Sequence, residues 1–307
     1  METRPSNASR RALSISQANA LANFDMLLSD MRNRRLVIFL DYDGTLTPIV
    51  SDPASALMSV ETRATLQRLR ERYITGIISG RSLSKIQQFV GIPELYYAGS
   101  HGFDIAGPNG TTIKNQVAVE FLAHLEQIRD ALMQEISTIP SAAVEDNIYS
   151  VSLHYRYTNE PQSATPHRNV APEFRERMAT IARDALAQHP QIKCNEGKMV
   201  YEFKPKIDWN KGKALVWLLQ ALGLDEMDDV FTIYIGDDTT DEDAFDVFRD
   251  KDTRKGVGII VTDQSKPTGA FFTLNDTHEV FQFLNRLADL DADATQHSCT
   301  SSSSSDR

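Results

Sequence analysis

The fold is decided by the stretch Leu36-Val-Ile-Phe-Leu-Asp41-Tyr-Asp43-Gly44-Thr45. Its five leading apolar residues predict a short strand that is buried on both faces of a parallel sheet. Two carboxylates follow at once, Gly44 lets the backbone turn sharply, and Thr45 offers a hydroxyl and an amide to an anion. Open α/β sheets bind ligands just outside the carboxyl ends of their strands. An Asx turn is the alternative interpretation, but it leaves unexplained why two acids follow an apolar run.

The composition is that of an acidic protein with an ordinary apolar content. The chain has 307 residues, a formal net charge of −10 and a hydrophobic fraction of 41%. This length holds one large domain or two. The negative charge argues against nucleic acid or an anionic membrane as a partner, and no apolar run approaches the roughly 20 residues of a membrane span. A small molecule is therefore the expected partner, and we also expect a monomer, although neither observation bears on the oligomeric state.

Cysteine usage and the N-terminus bear on the compartment. Two cysteines, Cys194 and Cys299, give no disulfide framework, which predicts a reducing compartment and a cytoplasmic location. The N-terminus lacks the continuous apolar core of a secretory signal. It carries Arg4, Arg10 and Arg11 among serines, a composition that weakly resembles an organelle transit peptide. Import into an organelle is therefore the alternative location.

The alternation of apolar runs and amphipathic stretches predicts an α/β fold. Further strands are expected near residues 73–78, 96–99, 230–236 and 256–261. Helices between them predict a Rossmann-like, doubly wound parallel sheet, and a change of pattern in mid-chain predicts an inserted α+β cap domain. The predicted organisation is a leader and helix over 1–33, a first core part over 34–103, the cap over 104–207, a second core part over 208–290 and a disordered Ser-rich tail over 291–307.

Two local predictions concern the borders of these parts. Apolar residues near a 3.6-residue period predict a helix over residues 17–33. The turn sequence Pro108-Asn-Gly110 predicts a hairpin that runs from Phe103 to Ile113.

Polar groups collect where several predicted elements begin or end. If the strands concerned are neighbours, these groups share one crevice. Carboxylates without histidine or cysteine partners suit a hard cation, and Mg²⁺ bridged to a phosphate is the natural choice. A serine and a lysine opposite would hold the phosphate oxygens that the metal leaves free. The candidate residues are Asp41, Asp43, Ser79, Gly80, Lys211, Asp237 and Asp241.

The same residues resemble the motifs of a known family. Four stretches of this chain resemble, in order, the four motifs of the haloacid dehalogenase superfamily of phosphatases. They are Asp41-Tyr-Asp43-Gly-Thr, Ser79, Lys211 and Gly236-Asp237-Asp238-x-x-Asp241. Narrower stretches resemble the trehalose-6-phosphate phosphatases, and these are Asp-Tyr-Asp-Gly-Thr-Leu-Thr-Pro48, Ile-Ser-Gly-Arg81, Gly-Ser-His-Gly102, Trp-Asn-Lys211-Gly-Lys-Ala and Gly-Asp-Asp-Thr-Thr-Asp-Glu-Asp-Ala-Phe245. The sequence around Gly99-Ser100-His101-Gly102 most resembles the plant-type branch of that family. The resemblance covers roughly residues 34–290.

The resemblance implies a Mg²⁺-dependent phosphatase that hydrolyses trehalose 6-phosphate through an aspartyl-phosphate. Asp41 would attack phosphorus, and Asp43 would protonate the leaving sugar oxygen and then activate water. The implied metal ligands are Asp41, Asp43 through its carbonyl, and Asp237. The implied phosphate ligands are Thr45, Ser79, Gly80 and Lys211. Asp241 would steady Lys211 or a metal-bound water.

The resemblance also implies how the substrate is chosen. The inserted segment would close over the site, exclude water and recognise the sugar hydroxyls. Within it, Gly197-Lys198-Met-Val-Tyr-Glu202 and Arg156 resemble the residues of the family that contact the sugar. Lys198 and Glu202 have a plainer alternative, which is a cross-strand pair without a ligand.

Two other functions stay open at this point. One is a different sugar-phosphate phosphatase on the same fold, such as a sucrose-phosphate phosphatase, and only the cap sequence separates it from the first hypothesis. The other is a protein that senses trehalose 6-phosphate without turning it over. The complete set of catalytic residues counts against a sensor, because a sensor has no need of Asp43.

Overall fold

The structure is a computed structural model that describes residues 18–50, 55–111, 119–139, 142–155, 172–197, 199–249 and 255–290. The strands are β1 (Ala18–Asn19), β2 (Arg35–Leu40), β3 (Ile74–Ile78), β4 (Tyr96–Gly99), β5 (Asp104–Ala106), β6 (Ala143–Asp146), β7 (Val151–His154), β8 (Ile192–Gly197), β9 (Val200–Pro205), β10 (Val230–Gly236), β11 (Gly256–Val261) and β12 (Phe272–Leu274). The α-helices are α1 (Phe24–Met31), α2 (Val60–Arg72), α3 (Leu83–Val90), α4 (Leu122–Ile136), α5 (Pro172–Leu186), α6 (Lys211–Ala221), α7 (Glu242–Asp246) and α8 (Thr277–Ala288). The predicted tail and most of the predicted leader lie outside the described residues.

The larger sheet has eight strands in the order β1-β12-β11-β10-β2-β3-β4-β5. Neighbouring strands are parallel, except that β5 is antiparallel to β4. Alternation along β2 sends Leu36, Ile38 and Leu40 into one hydrophobic core and Val37 and Phe39 into another. The apolar run is therefore buried on both faces, as the sequence predicts. The predicted α/β class with a doubly wound sheet is confirmed.

Helices cover both faces of this sheet. One core contains residues of α1, α2, α3 and α8, and the other contains residues of α6 and α7. Side-chain caps fix the start of three of these helices, because Ser59, Asn210 and Asp276 each accept a hydrogen bond from a backbone N–H three residues further on. Within the described ranges, no helix has the length and apolar content that crossing a membrane requires.

A second, antiparallel sheet has the strand order β6-β7-β9-β8. It shares a separate hydrophobic core with α4 and α5, which includes Leu125, Leu132, Leu153, Met178 and Phe203. We propose that this unit is the cap of the sequence prediction. The strand β5 lies inside the predicted cap range of 104–207, yet it pairs at the edge of the larger sheet.

The first helix is shorter than the sequence predicts. It begins at Phe24 rather than at residue 17, because the chain first pairs with β12 through β1. The side chain of Asn19 then accepts hydrogen bonds from the N–H groups of Leu21 and Ala22. These bonds form a turn, which takes the place of the first predicted helical turns.

Other differences concern short elements. The predicted hairpin contains β5 and a 3₁₀ turn over Pro108–Gly110. Of its second strand, which would end at Ile113, only Thr111 is among the described residues. The strands β6 and β12 and the helix α7 were not predicted. Each has only three to five residues, which is too short for hydrophobic periodicity to reveal.

Candidate active site

The central strands bring the predicted acids together. β10 lies parallel to β2 with Ile235 opposite Leu40, so both strands end at the same edge of the sheet. The N–H of Asp41 donates to the carbonyl of Ile235 at 2.9 Å, which fixes the first residue beyond β2. Gly44 turns the chain with a φ of +83°, and a Cβ there would lie 2.1 Å from Asp237 Oδ2. Glycine is therefore required where the first acidic loop approaches the second.

Lys211 lies between two of these carboxylates. Its Nζ donates to Asp41 Oδ1 at 2.7 Å and to Asp241 Oδ1 at 2.8 Å. Lys211 is 3% exposed, Asp41 4% and Asp241 0%, so the bonds are shielded from water. Burial alone would lower the pKa of Lys211, but the charges of Asp41 and Asp241 outweigh it and raise that pKa. The lysine is therefore a fixed positive charge at the start of α6.

Asp241 accepts four hydrogen bonds. Its Oδ1 takes those of Lys211 Nζ and of the Tyr234 hydroxyl, the latter at 2.6 Å. Its Oδ2 takes the N–H groups of Asp237 at 3.2 Å and Asp238 at 3.1 Å. A carboxylate offers about four lone-pair positions, so these donors fill Asp241. The arrangement favours the predicted role of steadying Lys211. Tyr234 was missed, because in sequence it is one more large residue of an apolar run.

Asp41, Asp237 and Asp241 form an acidic cluster that could hold a metal ion, since one carboxylate oxygen of each lies within 4.8 Å of the others. Burial raises the pKa of Asp41 well above its usual range, by more than the charge of Lys211 lowers it. Burial, with the charges of Asp241 and Asp238, raises the pKa of Asp237 to about 7. A cation would offset this excess of negative charge. The all-oxygen donor set suits a hard divalent ion.

Asp43 has a partner that the sequence analysis did not single out. Nε and Nη2 of Arg81 donate to its two carboxylate oxygens at 2.7 Å and 2.6 Å. The guanidinium also lies over the ring of Phe89, 4.7 Å from the ring centroid. This two-pronged contact fixes the plane of the carboxylate. Arg81 ends one of the quoted motifs, but a contact between residues 38 positions apart cannot be inferred from the motif alone.

The predicted phosphate ligands lie near the ends of β2 and β3. Ser79 follows β3, the neighbour of β2, and its Oγ accepts from the N–H of Arg81 at 3.2 Å. Gly80 lies against His101, whose ring would be 3.0 Å from a Cβ at the glycine. Thr45 is buried, and within the described part of the chain its Oγ1 has no hydrogen-bond partner. An unpartnered buried hydroxyl needs an explanation, and a ligand would supply one. The phosphate-binding role of these residues stays a prediction.

The cap contributes charge close to the core. Glu202 on β9 accepts from Lys204 Nζ at 2.7 Å. Burial lowers the pKa of His101 to about 3, and the charge of Lys204 acts in the same direction, so this core histidine is neutral. Lys204 was not among the predicted site residues, although it stands two positions after Glu202. Arg156 and Lys198, the other predicted cap residues, lie outside the described residues.

Polar contacts join the cap to the core. Lys85 on α3 forms an ion pair with Glu145 on β6, and His154 on β7 contacts the same carboxylate at 2.9 Å. The hydrogen bond with His154 and the interactions with Lys85 lower the pKa of Glu145 to about 2. Ser100 Oγ also donates to the backbone carbonyl of Asn147 at 3.0 Å. The cap is thus attached beside the edge of the sheet where the acids lie.

The fold and the acidic loops together define a class of protein. A doubly wound sheet with an antiparallel insert and an Asp-x-Asp loop beyond a central strand is typical of haloacid dehalogenase-like hydrolases. A solved haloacid dehalogenase-like hydrolase from Bacteroides thetaiotaomicron matches with a TM-score of 0.57, covering 83% of this chain and 99% of that chain at 15% identity. That likeness shows the fold alone.

Closer relatives show the family. The family model described as Trehalose-phosphatase matches residues 39–278. The trehalose 6-phosphate phosphatase RA3 of Zea mays is 42% identical over an alignment of 282 residues that covers 88% of this chain and 74% of that protein. The C-terminal domain of C. albicans trehalose-6-phosphate phosphatase matches with a TM-score of 0.67 at 25% identity, covering 90% of this chain and 99% of that one. The chain belongs to the trehalose-phosphatase family and is an enzyme of that family, which confirms the resemblance carried by the motifs.

The substitution Asp237→Asn should raise the melting temperature of the metal-free chain. The pKa of Asp237 is about 7 in the folded chain and about 3.9 in an unfolded one, so ionisation of this group opposes folding. The penalty grows as the pH rises from about 4 to about 7 and is constant above that. Asparagine does not ionise, so the gain should be largest above neutral pH and vanish near pH 4.

Thermal unfolding in the presence of a chelator measures this difference at a mildly alkaline and at an acidic pH. The matched control is Asp228→Asn, because the Asp228 side chain is fully exposed. The control should change the melting temperature little at either pH. An unchanged or lower melting temperature of Asp237→Asn at alkaline pH would contradict the account of the acidic cluster.

Proposed function

We propose that the chain hydrolyses trehalose 6-phosphate to trehalose and phosphate, with Asp41 as the nucleophile and Mg²⁺ as the cofactor. The observation that carries this proposal is the contact of Lys211 with both Asp41 and Asp241 beyond the central strands. It puts a carboxylate and a fixed cation where a phosphoryl group needs attack and charge neutralisation. The family membership supports the sugar, since the Zea mays relative is named as a trehalose 6-phosphate phosphatase.

The reaction has two steps that use the same residues. First, a carboxylate oxygen of Asp41 bonds to phosphorus as the bond from phosphorus to the sugar oxygen breaks. Asp43 gives that oxygen a proton, so trehalose leaves as an alcohol. Then Asp43, now ionised, takes a proton from water, and the water oxygen attacks phosphorus and releases inorganic phosphate from Asp41. Lys211, held in place by Asp241, neutralises charge on the phosphoryl oxygens in both steps.

The residues that would hold Mg²⁺ are Asp41, Asp237 and the backbone carbonyl of Asp43. The geometry of the acidic cluster supports Asp41 and Asp237 as ligands. Asp241 already accepts four hydrogen bonds, so we assign it to holding the neighbouring groups in place rather than to the metal. Bound Mg²⁺ would supply charge neutralisation and orientation of the phosphoryl group. Lys211 donates to the Asp41 carboxylate, and the N–H of Asp41 donates to the Ile235 carbonyl. These two bonds keep Asp41 in place for this role.

The remaining core groups would bind the phosphate and orient the acid. We assign Thr45, Ser79, Gly80 and Lys211 to the phosphate oxygens. The buried, unpartnered hydroxyl of Thr45 supports this assignment. Arg81 orients the acid instead, since its two bonds hold Asp43 at the mouth of the site, and one of these bonds must break for Asp43 to carry the proton of the first step.

Recognition of the sugar belongs to the cap in this proposal. The core groups contact only a phosphate, so they cannot choose among sugar phosphates. The ion pair of Glu202 and Lys204 is a half-buried polar group on the cap sheet, and the charge of Lys204 already acts on core residue His101. We infer that this pair meets the sugar hydroxyls when the cap closes, together with Arg156 and Lys198.

The remaining expectations stay predictions of the sequence. They are a monomeric state, no nucleic-acid or membrane partner and a cytoplasmic location, with import into an organelle as the alternative.

A steady-state assay with trehalose 6-phosphate, sucrose 6-phosphate and glucose 6-phosphate tests the substrate. We expect kcat/KM to be at least ~10-fold higher for trehalose 6-phosphate, because a site built around hydrogen bonds rejects sugars that leave its polar groups unpaired. Asp41→Asn keeps the size of the side chain but removes the attacking oxyanion, so turnover should fall to background while the chain stays folded. A higher kcat/KM for sucrose 6-phosphate would contradict the proposal that trehalose 6-phosphate is the substrate. Substantial activity of Asp41→Asn would exclude Asp41 as the nucleophile.

The substitution Glu202→Ala should separate sugar recognition from phosphate chemistry. It should lower kcat/KM for trehalose 6-phosphate by at least ~10-fold, which corresponds to one hydrogen bond to a charged group. Hydrolysis of p-nitrophenyl phosphate, which has no sugar, should change far less. The matched control is Glu126→Ala, an exposed acid on cap helix α4, which should leave both substrates unaffected. Equal losses on both substrates would show that Glu202 supports cap folding or closure, and no loss on either would remove it from the site.

A further inference from the structure

A lysine outside the predicted motifs reaches the acidic cluster from the loop between β11 and β12. Lys266 Nζ donates to the backbone carbonyl of Asp237 at 3.0 Å. Lys266 is partly exposed, so it is not needed to fill the core. Neither the phosphate chemistry nor the recognition of the sugar has given it a role.

The bond from Lys266 completes a two-sided hold on the main chain of Asp237. On one side, Asp241 Oδ2 accepts the N–H groups of Asp237 and Asp238 at 3.2 Å and 3.1 Å. On the other side, Lys266 donates a hydrogen bond to the carbonyl of Asp237, which belongs to the same peptide unit as the N–H of Asp238. Both edges of this peptide unit are thereby fixed, and the direction in which the Asp237 side chain leaves the backbone is fixed with them.

The loop that carries Lys266 is itself anchored. Glu242, the first residue of α7, accepts from the N–H of Gly269 at 2.7 Å and is only 5% exposed. The N–H of Ala270 donates to Thr268 Oγ1 at 3.1 Å, which makes a tight turn next to that anchor. Because Glu242 follows Asp241 directly, the short helix α7 ties both sides of the hold together. The backbone of the loop that carries Lys266 is therefore held in place by hydrogen bonds.

We propose that Lys266 is a positioning residue for the metal site. By holding the Asp237 carbonyl, it keeps the Asp237 carboxylate beside Asp41, where a divalent cation is bound. This inference rests on the proposed function, because it concerns the same Mg²⁺.

The direction in which removal of Lys266 changes Mg²⁺ binding makes the proposal testable. At a mildly alkaline pH, where the carboxylate of Asp237 is ionised with or without Lys266, a lysine that acted only through its charge would repel Mg²⁺, so its removal would strengthen binding. A lysine that positions a ligand strengthens binding, so its removal weakens it.

Titration calorimetry of Mg²⁺ into the metal-free chain at that mildly alkaline pH measures the effect directly. Lys266→Met removes the ammonium group but keeps most of the apolar stem, and it should raise the Kd for Mg²⁺ by roughly 3–10-fold, the range expected for one partly exposed charged hydrogen bond. Lys266→Arg keeps a charged donor and should restore most of the affinity. The melting temperature without metal should match that of the unmodified chain, and the rise on adding Mg²⁺ should be smaller.

The matched control is Lys255→Met. Lys255 Nζ also donates to the backbone carbonyl of an aspartate, Asp225, at 3.1 Å, but this contact is made by groups outside the acidic cluster. The control should leave the Kd for Mg²⁺ unchanged. Tighter binding by Lys266→Met would show that its charge alone matters, and an unchanged Kd would make it an ordinary surface lysine; either result overturns the positioning role. If the unmodified chain binds no Mg²⁺, the proposed cofactor itself fails.

Discussion

One buried ammonium group, Lys211 Nζ, holds the candidate active site together by bonding to Asp41 and Asp241 at once. Without it, buried carboxylates would face one another across a few ångströms. Breaking a buried ion pair by removing one partner costs about 3–5 kcal/mol, because the other charge is left uncompensated. The constraint therefore requires β2, β10 and the start of α6 to meet at one point. The order of the central strands satisfies it, since β2 and β10 are neighbours.

Further contacts extend from that ammonium group. Asp241 bonds to Tyr234 on β10 and to the backbone of the loop that carries Asp237. The same loop meets Lys266 on its other side, so the second acidic loop is held by groups from three elements. The core site is therefore preorganised for charge neutralisation before a substrate arrives. The cap, in contrast, is joined to the core by partly exposed polar contacts such as that of Lys85 with Glu145. A rigid site beneath a separately packed cap suits chemistry that needs water excluded only in part of the cycle.

Much of this arrangement could be predicted because it depends on the order of elements along the chain. An apolar run followed by acids predicted both β2 and Asp41, and the same pattern predicted β10 and Asp237. Contacts of Arg81 and Lys266 could not be predicted, because they join residues 38 and 29 positions apart through side-chain conformations that no pattern encodes. The predicted start of α1 was wrong because hydrogen bonds to the Asn19 side chain form a turn where the apolar periodicity predicted a helix. The pairing of β5 likewise depended on a partner strand rather than on its own three residues.

The central claim, a phosphoryl group carried by Asp41, is tested most directly by rapid quenching of Asp43→Asn with p-nitrophenyl phosphate. The leaving group of this substrate needs no proton, so loss of the acid should spare the first step, whereas the second step loses its base. The account predicts a burst of p-nitrophenol close to one equivalent per chain, followed by a stall, with the phosphoryl group found by mass spectrometry on the peptide that contains Asp41. Asp41→Asn should give no burst. Turnover without a burst, or a phosphoryl group on another residue, would contradict the account.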